Sequence, residues 1–205
     1  MHDQDYDIPA SETEVEIEVK GSRFIACLAH TANVDSASEF LAVIKRRWPK
    51  ASHYCSASLF SAPNNSQSMA YSDDGEPSGT AGRPMLMALQ NSGVGEVTAI
   101  VVRYFGGVKL GTGGLQRAYT DATVAALAEL EKEQRVFKQR FQLNFAYTDQ
   151  GDVEPLLLEA NAETESSEYE ESVRLKVLLR PVNVGALQKK LQAATRGRVQ
   201  LKELD

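Results

Sequence analysis

Between Val97 and Thr120 the chain carries three cations, Arg103, Lys109 and Arg117, and no acid. They thread through VVRYFGGVKLGTGGLQRAYT at residues 101–120. Gly106-Gly107 and then Gly111-Thr112-Gly113-Gly114 let the backbone turn sharply and approach another group closely. An Ala-rich helical run follows, and a helix start offers unpaired N–H groups at the positive end of its dipole. These ingredients suit an anion, held by amides around Gly111 to Gly114 with Lys109 and Arg117 nearby. A phosphate or an RNA backbone fits that description. The spacing is not GxxxxGK followed by Ser or Thr, and Gln116 stands where GxGxxG needs its third glycine. Hydrolysis of a nucleoside triphosphate therefore has little support. A tight strand-to-helix turn, with glycine needed only for packing, accounts for the same residues.

The second group is Asp73, Asp74 and Glu76, in the run SDDGEPSGTAG at 72–82. Three carboxylates this close can hold a hard cation such as magnesium. The EF-hand spacing is absent. The alternative is a capped acidic turn that pairs with Arg83, Arg103 or Lys109 and fixes their geometry. His53 and Cys55 alternate onto one face of a strand, but no third group orients them as base and nucleophile. A small buried cysteine explains Cys55. Zinc would have to draw on His2, His30, His53, Cys27 and Cys55, which lack a paired spacing. Neither catalytic residues nor a metal or other cofactor are expected from these patterns. Lys45-Arg46-Arg47 and Lys50 suit a helix C-terminus, or an added nucleic-acid contact with Trp48 as a stacking surface.

Hydrophobic periodicity supplies the elements that position these groups. Strands are expected at 14–20, 23–29, 53–60 and 96–104, the last apolar on both faces and so central in its sheet. Helices are expected from Asn33 to Trp48, over 80–90 and over 114–131. Residues 61–79 read as a long Ser-, Asn- and Pro-rich loop. From 137 the pattern becomes strand, helix (151–160), strands (163–168 and 173–179), helix (184–195) and a short strand at 198–201. That βαββαβ order is the ferredoxin-like arrangement. The expected fold class is α+β in two domains, 1–134 and 135–205, meeting in the charged stretch near 131–137.

The chain has 205 residues, 42% hydrophobic and 24% charged, ordinary values for a globular protein. No apolar run approaches the ~20 residues of a membrane helix, and the acidic N-terminus lacks a secretory signal pattern. Two cysteines argue against a disulfide scaffold and point to the cytoplasm. The net charge of −6 hides two acidic clusters, at 1–20 and 159–171. Outside them lie 15 of the 28 acids and 21 of the 22 bases, a balance that permits nucleic-acid binding.

SDDGEPSGTAGRP at 72–84 followed by VVRYFGGVKLGTGGLQRAY at 101–119 resembles the IMPACT family, close to its bacterial YigZ-type branch. The resemblance implies an N-terminal domain with the left-handed βαβ crossover of a ribosomal-protein domain. It also implies a C-terminal ferredoxin-like domain similar to the last domain of elongation factor G. Eukaryotic members restrain an amino-acid-starvation kinase pathway, a role tied largely to an additional RWD domain. The expectation is a non-enzymatic, translation-associated protein that binds RNA or the ribosome through Arg103, Lys109, Arg117 and the Gly111–Gly114 amides. Asp73, Asp74 and Glu76 would fix the geometry of that site. A metal-dependent enzyme acting on a nucleotide or phosphorylated small molecule, and a module docking a translation-related protein, are the alternatives.

Overall fold

The computed structural model describes residues 5–65 and 67–204. They form two compact units divided between Arg135 and Val136.

The first unit contains β1 (Tyr6–Pro9), β2 (Thr13–Val19), β3 (Ser22–His30), α1 (Val34–Arg47), β4 (His53–Leu59), β5 (Met69–Ser72), α2 (Gly82–Asn91), β6 (Val97–Tyr104), α3 (Gly111–Glu129) and β7 (Lys132–Arg135). Five strands form one sheet in the order β2-β3-β6-β4-β5, each antiparallel to its neighbours. β3 and β4 thus run in the same direction on either side of β6, joined through α1. As its sequence predicts, β6 is central and buried from Val97 to Arg103.

Strand alternation divides the core between two faces. Phe24, Cys55, Ala57, Val101, Met85 and Tyr119 pack together on the α2/α3 side. Ile25, Cys27, Ile100 and Val102 meet Phe40 and Ile44 of α1 on the other side. α1 begins at Asn33, whose side chain accepts from the Ser36 N–H while Ser36 Oγ accepts from the Asn33 N–H. It ends on Lys45, Arg46 and Arg47, which complement the negative end of the dipole.

Three short strands depart from the sequence expectation. β5 lies inside the stretch read as a loop and pairs with β4. β1 and β7 pair with each other, so the charged run at 132–135 is a strand rather than a linker. Buried Glu96 ties this pair to the main sheet. It accepts from the Tyr6 hydroxyl at 2.7 Å and also meets His30 at 2.8 Å and Arg135 at 3.2 Å. Burial and the bond to Glu96 push the Tyr6 hydroxyl up to about 12.

The second unit comprises β8 (Gln139–Phe145), a 3-10 turn, α4 (Gln150–Glu159), β9 (Glu163–Tyr169), β10 (Val173–Leu179), α5 (Pro181–Ala194) and β11 (Lys202–Leu204). Its strand order β11-β8-β10-β9 is antiparallel throughout, the arrangement of a ferredoxin-like domain. Phe141, Leu143, Leu175 and Val177 of the strands pack against Val153, Leu157, Leu187 and Leu191 of the helices to make its core.

The last strand falls at 202–204 instead of 198–201. The Val199 N–H donates to Thr195 Oγ1 and the Leu201 N–H to Gln188 Oε1, so these donors serve α5 side chains and not a strand ladder. Val199 is fully buried from this irregular segment, which is why its apolar side chain mimics a strand position.

Candidate functional site

The acidic loop is built around its own backbone. Asp74 (φ 41°) and Gly75 (φ 84°) both take left-handed conformations, and the Glu76 N–H closes the turn on the Asp73 carbonyl at 2.9 Å. Asp-Gly suits such a turn because both central residues need positive φ. The Asp73 carboxylate accepts from the N–H groups of Gly79, Ala81 and Gly82 at 2.8, 3.0 and 2.9 Å. Burial pushes this carboxyl up, but the three backbone donors outweigh it and hold it below the usual carboxylate range. Asp73 therefore caps the start of α2. Asp74 accepts from the Tyr54 N–H at 2.6 Å, fastening the loop to β4.

Glu76 points inward and is buried. Its Oε1 accepts from Arg103 Nη1 at 2.5 Å and from the Tyr119 hydroxyl at 2.8 Å. His53 Nε2 stands 3.9 Å from the same oxygen, while its Nδ1 donates to the Asp74 carbonyl at 2.8 Å. Burial, with Cys55 and Glu76 adding to it, raises the Tyr119 hydroxyl far above its ordinary value. Cys55 donates to the Asp73 carbonyl, and burial pushes its thiol up to about 12. The thiol is thus protonated at neutral pH, the wrong state for a nucleophile.

The sequence expectation sets Arg103 against phosphate, yet it is buried, paired with Glu76 and packed over the rings of Phe24 and Phe105. Its alternation with Val97, Ala99 and Val101 on β6 is the sequence signal for that burial. Among the described residues, Arg83 and Lys109 do not pair with the acidic loop. Tyr119, absent from the sequence expectation, lies one helical turn after Leu115 on the buried face of α3. Among the described residues no cluster of three His, Cys, Asp or Glu side chains is arranged to hold a metal, and His2 lies outside them.

The glycine segment is different. α3 begins at Gly111, three residues earlier than its periodicity predicts, and no side chain caps it. Its first turn holds no acid. Gly111, Thr112 and Gly113 are exposed, and Gly114 is half-buried. Lys109 and Arg117 are exposed, and their side chains have no ion-pair or hydrogen-bond partner among the described residues.

The glycines here have separate reasons. A Cβ on Gly106 would lie 2.0 Å from the backbone of Gly21, so two turns meet there. Gly111 has φ +70°, which favours glycine. Gly113 has neither constraint: its φ is not left-handed and a Cβ would meet nothing within 4 Å. The Gln116 side chain donates to the Gly79 carbonyl at 3.3 Å, linking α3 to the segment that leads into α2. A groove of about 650 Å³ is lined by residues of both helices, among them Arg83, Met87, Gly113 and Arg117.

In the second basic group Arg46 and Lys50 are exposed, while Arg47 and the neighbouring Trp48 are engaged internally. Arg47 pairs with Glu12 and Glu14, and the Trp48 indole N–H donates to Glu14 at 3.1 Å. No helix among the described residues is long and apolar enough to cross a membrane.

This architecture matches known proteins. Residues 20–127 match the Impact N-terminal domain, and residues 143–198 match a domain of unknown function, DUF1949. The chain is 42% identical to the IMPACT family member YigZ of Escherichia coli K12, over 95% of each chain. An IMPACT family member of Haemophilus influenzae is 39% identical over 98% of each. A crystal structure of a hypothetical protein superposes with a TM-score of 0.74 at 41% identity, covering 98% of both chains. The chain belongs to the IMPACT family.

Proposed function

We propose that this is a non-enzymatic, translation-associated protein that binds RNA or the ribosome through the start of α3. The observation that carries the reading is an uncapped helix of 19 residues whose first three residues are exposed and whose first turn is free of acids. Its amides and dipole favour an anion, and Lys109 and Arg117 add unpaired positive charge beside it. Arg103 acts indirectly: through Glu76 it ties the end of β6 to Tyr119 of α3. The carboxylates that a metal-dependent enzyme would use already accept hydrogen bonds from Gly79, Ala81, Gly82, Tyr54, Arg103 and Tyr119.

Cosedimentation with ribosomes and binding to generic RNA across a salt series test the reading. Affinity must fall steeply with salt, as phosphate contacts release counterions. Lys109→Glu with Arg117→Glu is expected to weaken binding by about tenfold or more at low salt. Absence of binding by the wild type at low salt, or unchanged binding by this variant, would defeat the proposal.

A further inference from the structure

The α2/α3 groove adds chemistry that the helix start alone lacks. At about 650 Å³ it falls within the ~300–1,000 Å³ range of small-ligand sites. Arg83 of α2 and Arg117 of α3 both line it, and both are exposed. Neither side chain has an ion-pair or hydrogen-bond partner among the described residues, although Asp121 lines the same groove. In the same unit Arg23, Arg47, Arg103 and Arg135 pair with carboxylates, while exposed Arg46 does not. The lining also includes Pro84 and Met87, the latter 55% exposed, and Gly113, whose missing side chain leaves the wall open.

We propose that this groove holds an unstacked nucleotide of single-stranded RNA. Arg83 and Arg117 take the phosphates, and Met87 and Pro84 take the face of the base. The inference rests on the RNA reading above and narrows it to a strand whose bases are free. A duplex offers phosphates but keeps its base faces stacked, so it cannot use the apolar part of the lining. A single strand can use both, because every base has a face to pack.

Fluorescence anisotropy with a short labelled single-stranded RNA and the matching duplex, over a range of salt, tests this. The variants are Met87→Ala and Arg83→Ala with Arg117→Ala, with melting temperature as the folding check. The strand is expected to bind about tenfold tighter than the duplex, and Met87→Ala to weaken only the strand, by about fivefold. The double arginine variant is expected to reduce the salt slope for the single strand by about 1.4, since each lost phosphate contact removes ~0.7. Equal binding of strand and duplex, or unchanged strand affinity in Met87→Ala, overturns the groove assignment while leaving RNA binding by the helix start intact. Competition by polyglutamate, or by a free nucleoside monophosphate as effective per nucleotide as the strand, overturns it as well. Failure of the wild type to bind either RNA at low salt overturns the RNA reading itself.

Discussion

Two helices of the N-terminal unit start from glycine-containing loops, and their starts are finished in opposite ways. The α2 start is closed from within: Asp73 accepts from Gly79, Ala81 and Gly82. The α3 start has no capping side chain, no acid in its first turn and, among the described residues, two unpaired cations close by in sequence. A helix start satisfied by its own chain has little left to offer an anion. One left open retains its donors and its dipole for a ligand. The same division separates the cations, since Arg103 is taken up by Glu76 whereas Lys109 and Arg117 are not.

The largest expected effect breaks the closed side. Glu76→Ala leaves Arg103 buried without its carboxylate and is expected to cost about 3–5 kcal/mol in urea denaturation. A loss under about 1 kcal/mol would mean that the pair does not hold the loop. Asp73→Asn removes a charged acceptor from three N–H groups and is expected to cost about 2 kcal/mol at neutral pH. The Asp73 carboxyl titrates below its unfolded value of about 3.9, so its contribution is present above that pH. It is lost as pH falls through the folded pKa, so the stability gap between wild type and Asp73→Asn closes in acid. A gap that persists unchanged to about pH 2 contradicts that assignment.

The smallest effect sharpens the open side. Gly113→Ala meets no steric obstacle and is expected to stabilise α3 by about 0.5–1 kcal/mol. The added methyl nevertheless lines the approach to the helix start, so RNA affinity should fall. Higher stability with unchanged affinity would show that Gly113 does not face the ligand.

Much of the frame is legible in the sequence because burial leaves a pattern. β6 reads as central from its continuous apolar run, and α1 from Asn33, Phe40 and Ile44. β1, β5 and β7 are not legible: YDIP, MAYS and KEQR carry little apolar alternation and become strands only by pairing. Periodicity places the α3 start too late because glycines have low helix propensity, which packing of Leu115, Ala118 and Tyr119 overrides. In the candidate site, residue types announce an anion-binding turn, but charge alone does not tell buried Arg103 from exposed Arg117. The groove joins α2 and α3 across a separation that no local pattern spans.

The most direct test follows backbone amide resonances by NMR as single-stranded RNA is added. Gly111, Thr112 and Gly113 are expected to shift more than Ala81 and Gly82, whose N–H groups are already bonded to Asp73. Shifts at Ala81 and Gly82 with none at 111–113 would contradict RNA binding at the open helix start.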